Sequence, residues 1–179
     1  MASLATEKKV KDGVIRVVKD DISAMDVEAF VFYAQDDLRL GAGYGNAIAV
    51  RGGPKIQEEL KALGPCKVGD VVVTGAGKLK AKHILHAVGP KFQEEGTEKK
   101  LLLTMENILA QAEQRDIGQL AVPPLGCGFY GVPLDLCARV TLAAAKKHLE
   151  AGSKLREFLV VACDAREYRP FAAALEALV

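Results

Sequence analysis

The sequence predicts an α/β domain with three layers, helices on both faces of a central sheet. Three observations predict it. Short apolar runs alternate along the chain with stretches of helical period. Several of those runs, such as Val71-Val72-Val73 and Phe158-Leu159-Val160-Val161, are apolar on both faces, as strands covered by helices on both sides are. Two of the runs end in glycine-rich loops that open into helical patterns, at 40–48 and 121–133.

The elements follow in order. Met1 to Lys9 has no apolar stretch of the kind a secretory signal carries, and residues 1–12 read as a polar tail before a domain over 13–179. Strands are expected at Val14 to Lys19 and Glu28 to Tyr33. Helix follows over 44–63, broken near Gly52-Gly53-Pro54, where two glycines and a proline cannot continue it. Strands at Asp70 to Thr74 and Lys82 to Ala87 flank the turn Gly75-Ala76-Gly77. In the helix Thr97 to Arg115, Leu101, Met105, Ile108, Leu109 and Ala112 share one face. A strand at Gln119 to Val122, a helix at Pro133 to Glu150, a strand at Phe158 to Ala162 and a helix at Tyr168 to Leu178 complete the pattern.

Bulk properties exclude several classes. The 179 residues fit one domain with a sizeable core, and half of them are apolar. The 24 basic and 23 acidic side chains nearly cancel, so no general field draws the chain to nucleic acid or an anionic membrane. Lys78, Lys80 and Lys82 read as exposed charges around a turn. No apolar segment approaches the roughly 20 residues of a membrane span. Cys66, Cys127, Cys137 and Cys163 lack metal-ligand spacing, so no metal site is expected. No cofactor is expected either. Reduced thiols and a cytoplasmic location are the simple reading.

The chemistry sits in the two glycine loops. Residues 121–133 read Ala-Val-Pro-Pro-Leu-Gly-Cys-Gly-Phe-Tyr-Gly-Val-Pro, and residues 40–48 read Leu-Gly-Ala-Gly-Tyr-Gly-Asn-Ala-Ile. Strand, glycine loop and helix N-terminus make an anion site, because glycines expose backbone N–H groups and the helix dipole favours negative charge. Either stretch alone is also compatible with an ordinary turn between strand and helix. Two of them can embrace one diphosphate. Neither is followed by the lysine of a P-loop, and Gly41-Ala42-Gly43 does not complete the dinucleotide fingerprint, since Asn46 stands three beyond Gly43.

Four motifs in order make the chain resemble the macro domain family, which binds ADP-ribose. The family pattern V-N-A-A-N, then L-x-x-G-G-G-V-A-x-A-I, aligns with Val31-Phe32-Tyr33-Ala34-Gln35 and Leu38 to Ile48. Asp21-Ile22 precedes it. The family segment I-H-A-V-G-P appears as Leu85-His86-Ala87-Val88-Gly89-Pro90, and the second phosphate loop as Pro124 to Gly131. The resemblance runs from about Val14 to the C-terminus. It implies the three-layer α/β/α macro fold with a mixed sheet of about six strands.

It also implies roles. Asp21 would accept hydrogen bonds from the adenine amine, with the backbone at Ile22 assisting; read without the family, Asp21 caps the short helix beginning near Ser23. Gly41, Ala42, Gly43, Tyr44 and Gly45, with Leu125, Gly126, Cys127, Gly128, Phe129 and Tyr130, would cradle the diphosphate. Phe129 and Tyr130 either shape the distal ribose pocket or plug their loop onto the sheet. Cys163-Asp164 ends the last strand, where the family places residues beside the adenine; Tyr168 either stacks there or belongs to the core. Cys127 reads as a small loop residue, since a thiolate beside a diphosphate would be repelled. His86 reads as a hydrogen-bonded core histidine.

The departures bear on catalysis. Family hydrolases often carry asparagine where this chain has Gln35, and aspartate where it has Gly45; the first asparagine of the motif is Phe32. Gln35 is the remaining candidate for a catalytic role. Three functions follow: a binding module for ADP-ribose, free or on protein; an ADP-ribosyl hydrolase or O-acetyl-ADP-ribose deacetylase of weak, substrate-assisted activity; or a degenerate domain, its pocket filled by Phe32 and Tyr33, kept for protein or RNA contacts.

Overall fold

The computed structural model describes residues 5–41, 43–128 and 130–179. Ala42 and Phe129, both expected at the diphosphate, lie outside the described residues. One mixed sheet of seven strands runs through the domain: β1 (Ala5–Val10), β2 (Gly13–Lys19), β3 (Ala29–Tyr33), β4 (Val71–Gly75), β5 (His83–Ala87), β6 (Gln119–Val122) and β7 (Glu157–Ala162). Their order is β1-β2-β7-β6-β3-β5-β4. The five inner strands are parallel, and β1 and β4 close the two edges antiparallel.

The helices are α1 (Tyr44–Gly52), α2 (Lys55–Leu63), α3 (Thr97–Gln114), α4 (Leu134–Glu150) and α5 (Ala165–Ala177). Alternation along the strands feeds two cores. Ile15, Val17, Val31, Phe158 and Val160 pack with Leu101, Met105, Ala138 and Phe171 of α3, α4 and α5. Phe30, Ile84, Leu159 and Val161 face the other way, onto Ile48, Ile56 and Leu60 of α1 and α2. This is the predicted α/β/α layering.

Two expectations are corrected. Residues 5–10, read as part of a polar tail, form β1, so the sheet has seven strands rather than about six. The charges in Ala-Thr-Glu-Lys-Lys-Val suit an edge strand, where they discourage pairing with another chain, and they conceal its period. β1 is tied down by Thr6 Oγ1, 2.8 Å from the Tyr168 hydroxyl, and by Lys8 Nζ donating to the Leu178 carbonyl. Helix α5 begins at Ala165 rather than Tyr168, because Asp164 caps it by accepting from the Glu167 N–H at 2.9 Å.

His86 is wholly buried in β5, with Nε2 2.9 Å from Thr74 Oγ1 and Nδ1 without a hydrogen-bond partner among the described residues. Burial pushes its pKa from the ordinary 6.5 down to about 3. Its folded pKa is thus depressed. As pH falls below 6.5 the unfolded chain takes a proton that the folded one refuses until about 3. Between pH 7 and pH 4.5 this site should cost about 2–3 kcal/mol of stability. Urea unfolding at the two pH values should show that loss in the wild type, and His86→Gln should lack it. Equal pH slopes in the two proteins would contradict a neutral buried histidine.

Candidate functional site

The parallel strand order decides what meets at the carboxyl edge of the sheet, the edge at which open α/β sheets bind ligands. β2, β7, β6 and β3 are neighbours there, and each releases a different segment. After β2 come Asp21 and Ile22; after β7, Cys163 to Glu167; after β6, the loop 123–133; after β3, the loop 34–43 leading into α1. A cleft of about 360 Å³ opens across these four ends, a size that suits a small molecule. Ile22, Ser23, Val161 and Glu167 line one end. Pro123, Pro124, Gly126, Gly128 and Tyr130 line it from the second loop, and Gln35, Arg39, Gly41, Gly43 and Tyr44 from the first. Phe30, Phe32 and Ile48 give it an apolar floor.

The first loop is braced from outside the cleft. Gln57 on α2 accepts from the Leu40 N–H at 2.9 Å and donates to the Leu38 carbonyl at 3.2 Å. Leu38 itself is buried in the left-handed region, φ 59°, an uncommon place for a branched side chain. Gly43, at φ 64°, leads into α1, whose first N–H groups receive no side-chain cap among the described residues. Those donors are the kind an anion satisfies.

Tyr33 organises the second loop. A Cβ on Gly126 would stand 3.1 Å from its ring, and one on Gly89 only 2.4 Å. The Tyr33 hydroxyl donates to the Pro90 carbonyl, and its ring lies 5.3 Å from that of Tyr130. The Phe92 N–H donates to the Tyr130 carbonyl at 3.0 Å. Gly126 needs its positive φ of 73° to turn under this ring and accept from the Val132 N–H at 2.9 Å.

The expected residues divide. Gln35, Gly41, Gly43, Tyr44, Ile22, Gly126, Gly128 and Tyr130 line the cleft together. Asp21 stands at its rim as a cap: Oδ1 accepts from the Ser23 N–H at 3.0 Å and from the Ser23 hydroxyl at 2.6 Å. Its Oδ2 accepts from Arg51 at 3.2 Å. The Ser23 hydroxyl, assisted by Arg51, holds the Asp21 carboxyl below the usual range. Leu125 turns its side chain into the core, fully buried, so only its backbone can serve the loop. Cys127 packs toward that core, its Sγ 3.7 Å from the Leu125 carbonyl. Contact with Cys137 and burial push its thiol up, as befits a loop residue and not a nucleophile. Asp164 is occupied as the cap of α5. Tyr168 is a core residue.

Gly45 lies beneath Phe32, whose Cζ would be 3.1 Å from a Cβ there. Phe32 in turn meets His86 edge-on at 6.1 Å. The aromatic ring in this motif therefore takes up the room a side chain at position 45 would need.

Two further residues bear on the shape of the cleft. Gln57 acts across a helix break and had no local signal. Glu167 had one, since Asp164-Ala165-Arg166-Glu167 has the spacing of a capping box. Among the described residues, Cys163, Asp164 and Glu167 also place ligand-type atoms within 4.8 Å of one another. Helix capping accounts for that cluster.

Comparison with known proteins agrees with this architecture. The family model for the Macro domain matches residues 33–141. A macro domain-containing protein of Caldanaerobacter subterraneus is 36% identical over 92% of this chain and 97% of its own. An O-acetyl-ADP-ribose deacetylase 1 of Pantoea vagans is 32% identical over 86% of this chain and 94% of its own. An Oceanobacillus iheyensis macrodomain solved with ADP superposes with a TM-score of 0.94 at 21% identity, over 99% of this chain and 98% of that one. A Trypanosoma brucei macrodomain in complex with ADP-ribose gives 0.85 at 24%, over 90% and 68%. The fold and its two-loop cleft define a macro-type α/β/α domain. This chain belongs to the Macro domain family.

Proposed function

We propose that this chain binds ADP-ribose, free or attached to protein, as a recognition module. The observation that carries it is the strand order, which brings Ile22, next to Asp21, and both glycine loops to one open cleft. Uncapped N–H groups of α1 and the turn at Gly126 suit the diphosphate, and the apolar floor suits a base. Hydrogen bonds to charged groups contribute about 1.5–3 kcal/mol each, so a few of them with base burial reach about −8 kcal/mol, or micromolar affinity. Calorimetric titration with ADP-ribose should show that affinity, and no heat from any adenine nucleotide would defeat the reading. Residence in a reducing cytoplasm belongs to the same proposal, supported by four unpaired cysteines.

A second reading, hydrolysis of an acyl or ADP-ribosyl linkage, draws support from the name of the Pantoea relative and from Gln35, which lines the cleft. Phe32 over Gly45 weighs against it, because no carboxylate stands at that point to hold a water. Deacetylation of O-acetyl-ADP-ribose should therefore run at least about a hundredfold below an enzyme with both groups in place, the cost of about 1 Å of misplacement. The open cleft weighs against a degenerate domain.

Gln57→Ala tests the bracing of the first loop. Two hydrogen bonds are lost, at about 0.5–1.5 kcal/mol each, and the loop must then be ordered on binding. ADP-ribose affinity should fall about tenfold in calorimetry, though Gln57 does not line the cleft. Unchanged affinity would make the brace irrelevant to binding.

A further inference from the structure

Glu167 stands out in the cleft wall as a nearly buried carboxylate, its side chain 11% exposed. Its place follows from the strand order. Asp21 and Ile22 leave β2, Glu167 follows β7, and Gly126 and Gly128 follow β6, so Glu167 lies between the rim at Asp21 and the second glycine loop. The ends of β2 and β7 are pinned together by the Asp20 N–H donating to the Ala162 carbonyl at 3.0 Å. In an adenosine diphosphate stretched along this edge, the group between base and diphosphate is the ribose with its vicinal hydroxyls.

The carboxylate is held in one orientation. Glu167 Oε1 accepts from the Cys163 N–H at 2.8 Å, while Asp164 Oδ1 accepts from the Glu167 N–H at 2.9 Å. The start of a helix ordinarily attracts anions. Here the Asp164 carboxylate already satisfies one of those N–H groups, and Glu167 accepts from the Cys163 N–H just before the helix. The cation beside them, Arg166, is mostly exposed and sits 4.0 Å from both Asp164 and Glu167. An ionised carboxylate only accepts hydrogen bonds, so it favours hydroxyl donors and opposes a phosphate monoester. Acidic residues read a ribose hydroxyl in the same way in dinucleotide-binding sheets of another fold.

We infer that Glu167 is a specificity-determining residue that selects an unphosphorylated adenosine ribose and rejects one carrying a 2′-phosphate. The inference rests on the ADP-ribose reading and deepens it. The test is calorimetric titration of the wild type and Glu167→Gln with ADP-ribose and with its 2′-phosphorylated form. Gln keeps an oxygen for the Cys163 N–H, and melting temperatures monitor the fold. The wild type should prefer ADP-ribose by at least about thirtyfold, and Glu167→Gln should narrow that ratio to about fivefold or less while ADP-ribose affinity falls by no more than about fivefold. A wild type that binds both ligands equally overturns the inference alone, as does an unchanged ratio in the variant. A wild type that binds neither ligand overturns the ADP-ribose reading, and the inference with it.

Discussion

Gly128→Glu should abolish ADP-ribose binding and leave the fold intact. Gly128 lines the cleft, yet among the described residues a Cβ there meets nothing within 4 Å, and its backbone is outside the left-handed region. The first atom of the new side chain therefore meets no obstacle among the described residues. What it adds is a flexible carboxylate where the diphosphate is proposed to lie. Like charges brought together in a binding site cost several kcal/mol, which is a loss of about a hundredfold or more in affinity. Calorimetry should read that loss, while the melting temperature stays within about 2 °C, as for an exposed substitution. Gly128→Ala supplies the neutral control and should keep most of the affinity. Gly126 would make a poor test. Its Cβ would press on Val132 at 2.7 Å and on Tyr33 at 3.1 Å from a positive φ, so lost binding there would be confounded with lost packing. If Gly128→Glu binds as tightly as the wild type, the diphosphate does not lie along the second loop.

Much of this cleft is legible in the sequence because its signals are local. β6 occupies Gln119–Val122, as its apolar run indicates, and α1 and α2 part at Gly53-Pro54, where the residue types forbid continuation. The glycine spacing locates both loops. β1 does not show in the sequence because Glu7, Lys8 and Lys9 mask its alternation, and only pairing with β2 makes it a strand. Tyr168 could be placed either way, and the spacing to Phe171 and Leu175 on one face of α5 puts it in the core. Family position points Asp164 and Leu125 toward the ligand, but the one is used by a helix end and the other by the core. Gln57 and Tyr33 act through contacts distant in sequence: Gln57 reaches back to Leu38 and Leu40, and Tyr33 to Gly89 and Gly126. Periodicity cannot report such contacts, because they depend on which strands become neighbours.

Gly77→Ala should be among the most damaging small substitutions in the domain. Gly77 turns the chain between β4 and β5 at φ 56°, and an added Cβ would sit 2.1 Å from the Gly52 carbonyl oxygen. That oxygen belongs to backbone at the break between α1 and α2, and it accepts from the Lys78 N–H at 3.0 Å. Neither partner can yield alone: moving Gly52 disturbs fully buried Ile56, whose Cδ1 is already 3.4 Å from the same point. The left-handed conformation costs a side-chain residue about 1–2 kcal/mol, and overpacking costs about 1–3 kcal/mol more. A total near 3–4 kcal/mol should lower the melting temperature by about 10 °C in a domain of this size. Gly152→Ala separates the two contributions. Gly152 also has a positive φ, 88°, but a Cβ there meets nothing within 4 Å. It should lose only the conformational part, about 1–2 kcal/mol. Equal losses at the two glycines would show that the contact between the β4–β5 turn and the α1–α2 break adds nothing. A larger loss at Gly77 would identify that contact as what fixes α1, and with it the first glycine loop, against the sheet.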